Sequence, residues 1–182
     1  MKKLLLTICS IAFAGAASAA DITVYYSPSC PHCHHALAFI GNELVYEYQT
    51  INAESVNVTT AENYPAFEAA LKKCEFESGG VPVIVVGEKC FQGYADFMGT
   101  EIRDAVAVGL SDADKAAATA NRQAMDSNAE KFKSENAARA NVIVERTADA
   151  QKKTEKNPVI YFYGLLALLV VGLGFVLVRK KK

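Results

Sequence analysis

Two cysteines separated by two residues, Cys30-Pro31-His32-Cys33, sit at a change of hydrophobic period. Before them, Ile22-Thr23-Val24-Tyr25-Tyr26 has the composition of a strand. After them, residues 34–44 read as a helix. This limits the fold to architectures in which a strand delivers a C-x-x-C pair to a helix start. There the first sulfur meets unpaired backbone N–H groups and the positive end of the helix dipole. Both favour thiolate over thiol and make that sulfur a nucleophile and a good leaving group. His32 adds a donor between the sulfurs, and positive charge when protonated. Pro31 fits the first helical turn, where a missing N–H costs nothing.

The 182-residue chain divides by composition. Residues 1–20 read as a secretory signal: Lys2 and Lys3, an apolar core, then Ala17-Ser18-Ala19 as cleavage site. Residues 21–110 read as one domain. Residues 111–157, rich in Ala, Lys, Glu, Asn and Asp, read as a helical or flexible spacer; fully helical, it would reach roughly 70 Å at ~1.5 Å per residue. Met125, Phe132 and Val142-Ile143-Val144 are too sparse for a heptad stripe, although a weakly self-associating helix is an alternative. Residues 158–178 form an uncharged apolar segment about as long as a membrane helix needs, followed by the basic tail 179–182. The signal and the tail together predict an inner-membrane, single-pass protein with its domain in the periplasm. Net charge is −1, which gives no global basic field for nucleic acid.

Inside the domain, residues 44–51 are β-rich and predict a second strand. Residues 64–73 follow as a helix whose apolar positions include Phe67, Ala70 and Leu71. Gly79-Gly80 breaks the chain before Val81-Pro82-Val83-Ile84-Val85-Val86. This nearly continuous apolar run suits a strand buried on both faces, with Pro82 confined to its beginning. Gly87-Glu88 is a two-residue hairpin turn into a strand at 89–92. Residues 96–110 read as a last helix, with Phe97, Ile102, Ala105, Val106 and Leu110 on its apolar side. The order is βαβαββα.

Three chemistries compete for the C-x-x-C. Cys30 to His34 matches a c-type haem attachment motif, but the strand before the pair, the helix it opens and the downstream proline-led strand all favour redox chemistry over haem. A metal-binding or metal-delivery module is the second alternative, because His32, His34 and His35 all lie beside the two cysteines. Adjacent His34 and His35 project about 100° apart on a helix, so at most one can join the sulfurs. The third is disulfide exchange, with Cys30 as the exposed attacking sulfur and Cys33 as the resolving one. It needs no cofactor.

The span from Ile22 to about Leu110 resembles the thioredoxin-fold oxidoreductases, and within them the glutaredoxin branch. The matching pieces are the strand before Cys30, the C-x-x-C at a helix start, Val81-Pro82, the Gly87-Glu88-Lys89 hairpin, and Gly93 with Asp96. The resemblance implies that Pro82 is cis and packs against the active pair, and that the Val81 backbone pairs with an extended substrate. The Pro-His dipeptide looks like that of the oxidising periplasmic enzymes of the DsbA type, without their inserted helical domain. Gln92-Gly93-Tyr94-Ala95-Asp96 keeps only one glycine and one aspartate of the usual glutathione-binding pattern, which leaves glutathione in doubt. The implied partners are protein thiols or disulfides, with a membrane redox partner suggested by the apolar C-terminal segment. Cys74 and Cys90 are open to three readings: a structural disulfide, separate thiols, or a second electron-relay pair. The expected layout, with the end of the helix at 64–73 near the active end, argues mildly against a bridge.

Overall fold

The computed structural model describes residues 21–147. In chain order the elements are β1 (Ile22–Tyr26), α1 (Pro31–Phe39), a π-helical turn (Ile40–Leu44), α2 (Val45–Glu47), β2 (Ala53–Asn57), α3 (Tyr64–Lys73), β3 (Val83–Val86) and β4 (Lys89–Gln92). After a 3-10 turn (Asp96–Met98) come α4 (Gly99–Ala107), α5 (Asp112–Glu135), a second 3-10 turn (Ala137–Arg139) and β5 (Ile143–Glu145). The sheet runs β4-β3-β1-β2-β5. β1 pairs parallel with β2, from Ile22↔Ala53 to Tyr26↔Asn57, and antiparallel with β3, from Ile22↔Val86 to Tyr25↔Val83. β3 and β4 form the antiparallel hairpin, turning at Gly87 with φ 57°. This mixed α/β arrangement is consistent with a thioredoxin-like fold.

Both faces of the sheet are covered, which explains its continuous apolar runs. Alternate residues go to opposite layers. Ile22, Val24, Ile84 and Val86 pack with Phe39, Ile40, Ile102 and Val106 on one face. Tyr25, Val56 and Val83 pack with Phe67 and Ala70 of α3 on the other.

Four expectations are corrected. Residues 44–51 do not form a strand. The helix begun at Pro31 continues through the π-turn and α2, burying Ile40, Leu44, Val45 and Tyr46; Tyr48 and Ile51 are buried in the turn that follows, and β2 forms later, at Ala53. Ile40 and Leu44 stand at helical spacing, and packing overrides the β-rich composition of the segment. Gly41 lies in the π-turn, and a Cβ there would stand 3.1 Å from Ile143 Cδ1, so it serves a close approach. Glu47 is fixed within this segment at 1% exposure, receiving two bonds from Arg103 Nε at 3.0 and 2.8 Å and one from Arg122 at 3.0 Å.

The second correction concerns the spacer. Residues 111–147 fold onto the domain. Ser111 caps α5 by accepting from the Asp114 N–H at 3.2 Å. Ala118 and Met125 are buried in the main core, with Phe132, Val142 and Ile143 packed against it. The helix kinks at Asn128 (φ −162°, ψ 89°), whose side chain accepts from the Lys131 N–H and so caps the second segment. Arg139 then donates to the carbonyls of Val45, Tyr48 and Ile51 at 2.9, 3.3 and 3.1 Å, satisfying groups that the end of α2 leaves open. β5 adds to the sheet edge parallel to β2, secured by the Arg146–Glu54 ion pair.

Third, Phe97 is not on the apolar side of a long last helix. It lies in the 3-10 turn at 85% exposure, and α4 spans only Gly99–Ala107. Fourth, α3 runs away from the active end, so its C-cap, Cys74, lies beside the β3–β4 hairpin, where Lys73 Nζ donates to the Gly87 carbonyl at 3.0 Å. Cys74 and Cys90 form a disulfide with Cα atoms 5.7 Å apart. Among the described residues no helix is long and apolar enough to cross a membrane. The expected signal (1–20) and anchor (158–178) lie outside the described residues.

Candidate active site

β1 ends at Tyr26, and Ser27-Pro28-Ser29 turns the chain so that the Cys30 N–H bonds the Ser27 carbonyl at 3.1 Å. Cys30 is the N-cap of α1, with extended backbone (φ −92°, ψ 112°) and Pro31 as the first helical residue. A cap side chain accepts from the orphan N–H groups of the first turn. Here the acceptor is sulfur: the Cys33 N–H donates to Cys30 Sγ at 3.3 Å. No acidic residue occupies that first turn, so no carboxylate competes for the positive end of the dipole. The Cys30 sulfur thus faces a fixed backbone donor.

The two sulfurs have different surroundings. Cys30 is half-buried and Cys33 fully buried, and both are free thiols. Burial, followed by the interaction with the Cys30 thiol, pushes the Cys33 thiol from about 9 up to about 12. Cys33 is therefore held protonated and out of solvent, while Cys30 is the sulfur a second molecule can reach. Pro31 and His32, between them, are exposed.

β3 contributes the facing wall. The Val81–Pro82 peptide is cis, and the Cys30 thiol donates to the Val81 carbonyl at 3.5 Å. Pro82 is buried and Val81 half-buried just before β3 begins. The structure thus brings Cys30, Cys33, Val81 and Pro82 to one end of the sheet. Cys74 and Cys90 lie toward the other.

Two positioning contacts had no sequence signal of their own. The Gln92 side-chain amide donates to the carbonyls of Ser78 and Gly80 at 2.7 and 3.3 Å, while the Gly93 N–H bonds the Pro82 carbonyl at 2.8 Å. The end of β4 therefore holds the Gly79–Pro82 segment from both sides. His34 Nε2 lies 2.7 Å from the Pro28 carbonyl and ties the turn before Cys30 to α1. Among the described residues no three His, Cys, Asp or Glu side chains form a group able to hold a metal ion. Tyr94 stacks on Phe39 with ring centroids 5.5 Å apart. Burial first, then the nearby carboxylates Asp96 and Glu43, push its hydroxyl up to about 12.

A solved glutaredoxin from Archaeoglobus fulgidus is similar to this chain, at 24% identity and a TM-score of 0.36, over 49% of this chain and 88% of that one. No family model and no curated protein matches the chain. The fold assignment therefore rests on the strand order, and the chemistry on the sulfur geometry.

Proposed function

We propose that this chain is a thiol–disulfide oxidoreductase that exchanges disulfides with protein substrates through Cys30 and Cys33, exported to the periplasm and anchored in the inner membrane by residues 158–178. The observation that carries the redox reading is the asymmetry of the two sulfurs: one at a helix cap with a donor on it, the other 0% exposed behind it. In the oxidising direction a substrate thiolate attacks Cys30 Sγ of the Cys30–Cys33 disulfide. The S–S bond breaks, its electron pair goes to Cys33 as thiolate, and that thiolate takes a proton. A second substrate thiolate then attacks the mixed disulfide and expels Cys30 as thiolate, so the substrate leaves oxidised and the enzyme holds both electrons. Reduction of a substrate is the same path reversed.

The oxidising direction is favoured by His32 between the sulfurs and by the donor at Cys30, because both stabilise the reduced form. An extended substrate segment would lie along the Val81 backbone beside Pro82. The incomplete glutathione pattern at Gly93 and Asp96 supports a polypeptide over the tripeptide. Export and anchoring are supported by sequence alone: the basic, apolar and small-residue pattern of 1–20, and the uncharged segment with its basic tail at 158–182. The test is a Cys33→Ala variant in cells, which should accumulate Cys30 in mixed disulfides with its substrates. Full exchange activity in a Cys30→Ser variant would reject the assignment.

A further inference from the structure

The C-terminal extension fixes which end of the domain is tethered. β5 runs parallel to β2, which runs parallel to β1, so all three strands point toward the end that carries Cys30. Ser55 pairs with Glu145 and Asn57 with Tyr26; continuing the β2–β5 register by two residues sets Thr147 level with Tyr26, four residues before Cys30. Two strand spacings of ~4.8 Å separate β5 from β1, a lateral offset of about 10 Å. The Tyr26 hydroxyl donates to the Glu145 carboxylate at 3.0 Å across that gap.

Because residues 111–147 are folded onto the domain, little chain is left to act as a stalk. From Thr147 to Val159, where the uncharged run begins, there are 12 peptide steps (159 − 147). Covalent geometry limits that distance to about 43 Å, at ~3.6 Å per residue fully extended. The limit applies to the end of the sheet that bears the cysteine pair.

Resting on the oxidoreductase and anchor reading above, we infer that the Cys30 end of the domain is the end tethered to the bilayer, within about 43 Å of it, and that its exchange partner is a membrane protein presenting its cysteines within that reach. Tethering both reactants to one surface replaces a bimolecular encounter by one at high effective concentration, provided the tether can span the sites. A cysteine carried far from the bilayer on its own stalk falls outside this reach.

The test uses the full chain in phosphatidylcholine vesicles containing an acceptor-labelled lipid. A donor dye is placed on Cys30 in a Cys33→Ala variant, or on Val108→Cys in a Cys30→Ser/Cys33→Ser background; Val108 is 67% exposed and follows the end of α4, away from the active end. Energy transfer should be greater from Cys30 than from position 108. The unlabelled protein is then given transmembrane peptides carrying a dithiol about 20 Å or about 100 Å above the bilayer. Exchange with the nearer dithiol should be at least about tenfold faster. Equal transfer from the two dyes, or equal rates with the two peptides, overturns the inference. Failure of its premises reads differently: no exchange with a soluble dithiol peptide removes the enzyme reading, and failure to sediment with vesicles removes the anchor, and either withdraws the inference with it.

Discussion

The domain holds two cysteine pairs at opposite ends of one sheet, and the backbone gives them opposite chemistry. Cys30 caps the start of α1, where an N–H points at its sulfur. Cys74 caps the end of α3, where carbonyls and the negative end of the dipole gather. At the first site the Cys33 N–H points at the sulfur, which on the proposed reading favours opening of the Cys30–Cys33 disulfide. At the second the bond to Cys90 in an edge strand staples α3 to the β3–β4 hairpin. The residue type is the same; on the proposed reading, which helix terminus it occupies decides whether the sulfur exchanges or stays bonded.

Breaking each pair should give different losses. Cys30→Ser should lower disulfide exchange by at least about a thousandfold with little change in thermal stability, because exchange needs the thiolate at that position. It is read as initial rate with a dithiol peptide. Replacing Cys74 and Cys90 together by Ser should do the reverse. Exchange per folded molecule should persist, while denaturant unfolding shows a loss of about 3 kcal/mol, the scale for opening a loop of 16 residues. If the exchange rate of the second variant fell as far as that of the first, the two ends would not be distinct.

A third variant separates the staple from the brace. Met125→Ala, in the face that α5 lays on the core, should cost about 2–4 kcal/mol in denaturant unfolding and leave both cysteine pairs in their redox states. A loss near zero would return residues 111–147 to the role of a spacer.

The pH dependence distinguishes the pairs without mutating the bridge. Folding raises the Cys33 thiol from about 9 to about 12. A group raised in the folded state contributes stability that is complete below its unfolded value and is lost as pH rises through its folded value. The reduced domain should therefore lose stability between about pH 9 and 12, more steeply than a Cys33→Ala variant, as followed by urea midpoints at each pH. Cys74 and Cys90, being bonded, add nothing to this slope. The smallest effect is expected at Gln92. Gln92→Ala frees the Ser78 and Gly80 carbonyls and should raise KM for a protein substrate roughly threefold to tenfold, with kcat nearly unchanged, as the wall opposite Cys30 loosens.

The backbone of the end that carries Cys30 was legible in the sequence because its determinants are local. The strand before Cys30, Pro31 at the first helical position and Pro82 ahead of an apolar run each specify their own backbone. The helical course of residues 44–47, the Cys74–Cys90 bridge and the extension were not, because their determinants are distant in sequence. Residues 44–51 have strand composition, yet residues 44–47 continue a helix because Glu47 meets Arg103 and Arg122, and Arg139 closes the carbonyls at its end. The Cys74–Cys90 bridge was obscured by placing the end of α3 at the wrong end of the sheet. The face of α5 was sparse because only one position in seven, Ala118, Met125 and Phe132, needs to be apolar to seat it.

The most direct test is a redox titration of the purified full chain in thiol–disulfide buffers of graded potential, with alkylation and mass analysis reporting each pair separately. The expected result is that Cys30–Cys33 opens at a potential above about −270 mV while Cys74–Cys90 stays closed to below about −300 mV. One shared midpoint, or a Cys74–Cys90 bond that opens before Cys30–Cys33, would contradict the assignment of exchange to one end and stapling to the other.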